Sequence, residues 1–303
     1  MTAPPVERLA RWLAPVVPAS RLALVRIAVC LYACAWLGAL GPDLLARTRL
    51  PPERFDPVGL AGPVGVVSPG ALLIALVVVI GLGLLVAAGR AHRVGGPAFA
   101  LGLAWILSYR NSWGHLSHAE HLLVLHVAIV ALAPADHALR LGSSGPAPPD
   151  HERYGWPLRL MMLVTVSTYA IAGLAKLRAG GLAWISGDTV QLHVAHEVLR
   201  TRRVGAEAAW LGPWLLPHAG AFSAIAVATV VLELGAPLAL RAGRLRAAWL
   251  GGLWAMHLGI WAVMGIGFAY PLSGVAFTPF LPLERAVAAV RAWARRARAR
   301  ARP

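Results

Sequence analysis

Apolar residues run along this chain in long, nearly unbroken stretches, not in the alternation of half-buried strands or the narrow stripes of surface helices. Such stretches fall at about 21–41, 70–90, 94–109, 118–135, 156–176, 219–240 and 246–269. Most approach the roughly 20 residues that a helix needs to cross a hydrocarbon core about 30 Å thick. A shorter, proline-broken segment, 271–283 (PLSGVAFTPFLPL), stands as the eighth. In hydrocarbon only helices satisfy their own backbone groups within one segment, and no stretch alternates as a barrel strand does. The pattern predicts an all-α, polytopic transmembrane bundle of about eight membrane-spanning helices, with interfacial helices beside them.

The polar intervals complete this layout. Residues 5–18 (PVERLARWLAPVVP) form a short amphipathic stretch, and no cleavage site of small residues follows it, so the first span reads as uncleaved. A proline-rich loop covers 42–69, a tight basic turn lies at Arg90–Arg93, and a polar loop covers 136–155. The semi-polar segment 177–218 contains a predicted interfacial helix around 187–204. There is no internal repeat. The expected organisation is one domain over 1–303, with the bundle at 20–283 and a basic tail at 284–303.

Composition agrees. The chain is 58% hydrophobic and 14% charged, with a mean hydropathy of +0.65, where a soluble domain carries about a quarter charged residues. The net charge of +15 would fit nucleic-acid binding if the cations were gathered on a soluble face. Instead they flank the apolar spans, and seven arginines crowd the tail from Arg285 to Arg302. With the N-terminus in the cytoplasm, 18 arginines fall inside and nine Arg or Lys outside. That bias predicts a multi-pass protein of the cell membrane, both termini cytoplasmic, with the lipid bilayer as its partner and no nucleic acid. The tail reads as a basic helix on an anionic leaflet. Lys176 and the histidine-rich segment 115–121 then lie at the outer face. Cys30 and Cys34, one helical turn apart in the first span, read as small core residues.

Of 28 basic residues, 27 are arginine and one is Lys176. Arginine serves wherever a plain cation suffices; lysine can also lose its proton. Two readings of Lys176 stay open on these grounds, an interfacial anchor and a partly buried base. Ionisable groups inside spans are costly and mark functional candidates; here they are Arg26, Glu120, His121, His126, Lys176, Glu233 and His257. An internal ion pair, such as Arg26 with Glu233, is the structural alternative. His115, His118 and His121 are spaced three apart, as for one helical face, and HVAHE places His193, His196 and Glu197 together. Such pairs can ligate metal in membrane oxygenases, but the adjacent His-His boxes of those enzymes are missing, and histidines at helix ends are the other reading.

The run Tyr169-Ala-Ile-Ala-Gly-Leu-Ala-Lys176-Leu, with Trp184 beyond it, resembles the signature of the HTTM family. These are membrane proteins related to vitamin K-dependent gamma-carboxylase, in which the string ends in the catalytic lysine. LALVRIAVCLY with Arg26, Asn111 with His118 or His121, Glu233-Leu-Gly-Ala-Pro, and His257 followed by GIGFAYPL fit the family in order. The resemblance implies Lys176 as base, assisted by His118 or His121, acting at the outer face on a reduced menaquinone or vitamin K hydroquinone. It implies Tyr169, Trp184, Glu233, His257 and Arg26 around that quinol, and a peptide or protein substrate for carboxylation. The large extramembrane domain with which the carboxylase holds its substrate has no counterpart here. The alternative is a non-catalytic family member, a membrane partner in peptide maturation or a redox pathway.

Overall fold

The computed structural model describes residues 4–143, 145 and 148–300. It is 74% helical, with no strand among the described residues. The chain divides into two compact units, one containing residues up to Met161 and those from Thr278 onward, the other Met162–Phe277.

The first unit holds α1 (Pro5–Leu13), α2 (Ala19–Arg47), α3 (Pro69–Ala87), α4 (His92–Asn111), α5 (His121–Leu132), the start of α6 (Gly155–Ile185) and, from the C-terminal end, α12 (Leu283–Arg300). The helices start where local chemistry tells them to. Ser68 caps α3 by accepting from the Ala71 amide, and Pro69 takes the first helical position, where its missing N–H costs nothing. Helices α2 to α5 pack as successive neighbours, as short connections dictate. Small residues set how closely they approach. A Cβ on Gly83 of α3 would lie 2.5 Å from Cys34 Sγ of α2 and 2.6 Å from the Phe99 ring of α4, so this three-helix contact exists only with glycine there. Both cysteines are free and buried.

Arg26 ties this unit together. It is fully buried, 0% exposed, and its two terminal nitrogens donate to four carbonyls, those of Ala87, Ala135, Ala138 and Leu139. Ala87 ends α3, so the guanidinium meets the negative end of that helix dipole as well as orphan carbonyls.

The second unit holds the rest of α6, then α7 (Asp188–Arg203), α8 (Gly212–Leu215), α9 (Ala219–Leu234), α10 (Arg244–Met264) and α11 (Ala269–Leu272). Helix α7 packs on α9 through Val194, Val198 and Phe222, with Leu215 of α8. The turn into α7 is Gly187 at φ +90°, where a Cβ would strike the backbone of Phe222 and Ser223. Gly265, at φ +71°, closes α10 in the left-handed conformation common at helix C-termini.

Among the described residues, four helices are long and apolar enough to cross a membrane: α2, α3, α6 with the turn before it, and α10. The apolar α5 and α9 have 12 and 16 residues, about 18 and 24 Å at 1.5 Å per residue, short of the full core. Of the about eight spanning helices expected, four thus qualify by length and composition, with shorter apolar helices beside them. The segment 271–283 forms no spanning helix. It breaks into the four residues of α11 and a short 3₁₀ turn, Val275–Phe280, because Pro271, Pro279 and Pro282 interrupt the ladder. The fifth stretch, expected to end at Lys176, runs past it to a break at Gly181, beyond which helical residues reach Ile185. The shared helical face expected for His115, His118 and His121 is not formed. Helix α5 begins only at His121, and before it Gly114 turns the chain at φ +80° while the Asn111 side chain holds both backbone groups of Ser117.

Replacing Arg26 by leucine would leave four carbonyls without their donor, costing about 3 kcal/mol. Thermal unfolding of the purified protein should show Arg26→Leu well below the parent and Arg26→Lys between them, since one ammonium cannot reach four carbonyls. An unchanged midpoint in Arg26→Leu would show that these bonds are not what holds the unit.

A candidate ion-pair site on the sixth helix

Tyr169, Gly173 and Lys176 lie four and three residues apart on α6, so they share one face. This face meets α9. A Cβ on Gly173 would stand 3.0 Å from Glu233 Cβ and 3.1 Å from Leu234, so glycine here sets the distance at which α9 brings Glu233 to Lys176. The lysine Nζ donates to both carboxylate oxygens, at 2.6 Å to Oε1 and 2.7 Å to Oε2. The Glu233 side chain is 6% exposed and that of Lys176 22%. The pair is therefore desolvated from the glutamate side and open from the lysine side.

Above Lys176 the helix is broken. Gly181 sits at φ +52° and ψ −132°, a conformation that only glycine adopts without strain. Had α6 continued straight, Trp184 would stand about 12 Å further along the axis from Lys176. The break returns the indole over the ammonium instead, with Nζ 5.6 Å from the ring centroid, in reach of a cation–π interaction. His193 of α7 lies against this tryptophan in a tilted arrangement, with 6.3 Å between ring centroids. The Trp184 Nε1–H is buried and has no acceptor among the described residues.

Two turns below Lys176, the Tyr169 hydroxyl is hydrogen-bonded to His257 Nε2 of α10 at 2.8 Å. Both residues are 5% exposed, and Phe268 packs on the imidazole at 5.0 Å between ring centroids. His257 Nδ1 is buried without a partner among the described residues. If Nδ1 carries no proton, Nε2–H donates to the tyrosine oxygen and the phenolic proton is free for another acceptor. The arrangement can thus hold a charged amine–carboxylate pair, a phenol and an imidazole along one apolar wall. Two buried polar atoms there, Trp184 Nε1 and His257 Nδ1, still lack partners.

Five of the residues singled out from the sequence, Lys176, Tyr169, Trp184, Glu233 and His257, are therefore brought together in the second unit. The other three, Arg26, His118 and His121, belong to the first. Arg26 is engaged by carbonyls there, and each of the suggested partners Arg26 and Glu233 finds its counterpart within its own unit. His118 and His121 are exposed, and the neighbouring Glu120 is taken up by Arg110 at 2.7 Å and by Ser117 at 2.9 Å. His126 is fully buried and bonded to the Met161 carbonyl at 3.3 Å. In the HVAHE segment, Glu197 accepts from Arg200 at 2.7 Å. That hydrogen bond holds its carboxyl below the usual carboxylate range. Among the described residues, no three His, Cys, Asp or Glu side chains gather as metal ligands. The residues that sequence reasoning missed are Gly173, Gly181 and Phe268. The Gly180-Gly181 pair was the available signal for the helix break.

No family model, no curated protein and no solved structure matches this chain.

Proposed function

We propose that this chain is a multi-pass membrane protein of the HTTM type, related to vitamin K-dependent gamma-carboxylase, whose chemistry is proton abstraction by Lys176 from a membrane quinol. The observation that carries the reading is the Lys176–Glu233 pair beneath Trp184, one helical face along from Tyr169 and His257. A reduced menaquinone or vitamin K hydroquinone would supply a weakly acidic hydroxyl and, with oxygen, a stronger base for carboxylating a peptide or protein substrate. The two unpartnered polar atoms, His257 Nδ1 and Trp184 Nε1, are fitting contacts for its oxygens, and the apolar wall fits its ring and tail.

For Lys176 to act as a base, its ammonium must first give up a proton. Glu233 is the acceptor already in place, bonded through both oxygens. Desolvating an ion pair removes much of its advantage over the neutral amine–acid pair, so a ligand that displaces water from the open lysine side favours transfer to Glu233. The free amine then takes the proton of the ligand hydroxyl. Trp184 shields the nitrogen from water, and Tyr169 with His257 orients the ligand or passes a second proton.

A second reading, a non-catalytic membrane partner in peptide maturation or a redox pathway, draws support from the same pair. Bidentate engagement of a partly buried lysine also builds a clamp between two helices.

Both termini are placed in the cytoplasm on this proposal. Arg21, near the start of α2, and Glu284, near the start of α12, form an ion pair through both guanidinium and carboxylate edges, which supports one side for the two ends. A periplasmic-type reporter such as alkaline phosphatase, fused before Met1 or after Pro303, should stay inactive; activity in either fusion would reverse that end.

Lys176→Arg keeps a cation for Glu233 but cannot deprotonate. Menaquinol turnover by the purified protein should fall by at least about 100-fold, the usual worth of a general base, while the thermal midpoint stays near the parent. Equal turnover in parent and variant would rule out the base. The pair itself has a separate signature in stability. Glu233→Gln strands the ammonium and should cost about 3 kcal/mol. The double variant Lys176→Met with Glu233→Leu should recover most of that loss. A double variant as unstable as Glu233→Gln would mean that packing at Glu233, not charge, is what the single variant removed.

A further inference from the structure

In the first unit, an apolar cleft of about 460 Å³ opens between α2 and α3. Its walls are Ile27 and Leu31 of α2, Leu84 and Ala88 at the end of α3, and Leu139 from the loop that follows α5. Leu31 and Leu84 are half-exposed. The one ionisable side chain in its lining is Arg140, which is exposed.

Around that end, three arginines converge. Gly89 lies between two of them: a Cβ there would stand 3.0 Å from Arg140 Cγ and 3.2 Å from Arg26 Nη1. The third, Arg90, donates its Nε to the Leu141 carbonyl, and its Nη2 would be 2.7 Å from a Cβ on Gly142. The two loops are joined by the Leu141 amide on the Ala88 carbonyl at 2.9 Å. Among the described residues, none of these three arginines forms an ion pair with a carboxylate. Arg26 rests on carbonyls alone, while Arg90 and Arg140 present unpaired guanidinium edges to the outside. Arg26 also feels the carboxylate of Asp136, which leaves Arg90 and Arg140 as the exposed cations of the group, and their mutual repulsion is relieved when an anion sits between them.

An open apolar groove beside two membrane helices, with the exposed Arg90 and Arg140 at one end, suits one class of ligand. We propose that this cleft is a binding site for an anionic phospholipid. Its phosphate bridges Arg140 and Arg90, and one acyl chain lies along Ile27, Leu31 and Leu84. Guanidinium forks match phosphate oxygens in pairs, and phosphate beside Gly89 also faces the buried charge of Arg26. The lipid then supplies Arg90 and Arg140 with a countercharge.

The test is thermal unfolding of the purified full chain in non-ionic detergent as phosphatidylglycerol is titrated in. A lipid bound by the folded state raises the midpoint with concentration. The parent should show that rise, and phosphatidylcholine or inorganic phosphate should not. Each interfacial arginine is worth about fivefold in affinity for an anionic surface, so Arg90→Gln with Arg140→Gln should need roughly 25-fold more lipid for the same rise. Arg8→Gln with Arg11→Gln, in the exposed first helix, should respond as the parent does. Ala88→Trp should abolish the response by filling the cleft. Leu31→Trp, at a half-exposed position, serves the same purpose if the midpoint of Ala88→Trp without lipid shows a folding defect. An equal rise with inorganic phosphate would make this an anion site and overturn the proposal. So would an equal rise with phosphatidylcholine, a response lost equally in the α1 variant, or a full response in the arginine or tryptophan variants.

Discussion

Charge carried into an apolar helix bundle has to be met from within it, because neither lipid nor packed side chains can solvate it. The two compact units meet this demand in different ways. In the first, Arg26 is answered by four backbone carbonyls and the end of a helix dipole, so a cation is held with no carboxylate paired to it. In the second, Lys176 is answered by a full countercharge, Glu233, at two short contacts. The distinction matters chemically. Carbonyls can only hold a cation in place, whereas a carboxylate can also take its proton. That difference puts the proposed chemistry at Lys176 and leaves Arg26 as a fastening.

Glycines govern how these contacts are reached. Gly83 lets α2, α3 and α4 close on one another, and Gly173 lets α9 approach until Glu233 reaches Lys176. Gly181 breaks α6 so that Trp184 returns over the ammonium. The polar side chains carry the proposed chemistry, but small residues one turn away determine their distances. Substitutions at Gly173 or Gly181 therefore act on the site without touching its chemistry.

Much of this was legible from residue types, and the rest required pairing between helices. Lys176 stood out as the only lysine among 28 basic residues, and Glu233 and His257 stood out as ionisable groups in apolar stretches. Which group would meet which could not be read. Glu233 was offered to Arg26, since complementary charge along a chain does not say which faces turn toward each other; its partner is Lys176, 57 residues away. The histidine series at 115–121 had helical spacing, but Gly114 and the Asn111–Ser117 bonds keep that segment irregular. The apolar content of 271–283 resembled a crossing, and its prolines prevented one. In the last two cases a local backbone restriction overrode what residue spacing or hydrophobicity suggested.

The account depends on Glu233 as the place to which the Lys176 proton goes. Infrared difference spectroscopy on the purified protein, recorded with and without menaquinol, reports directly on that carboxyl group. The expected result is a carboxylic-acid carbonyl band that appears on menaquinol addition and is missing from Glu233→Gln. A spectrum in which Glu233 stays a carboxylate with menaquinol bound would contradict the central claim and leave the pair as a helix clamp.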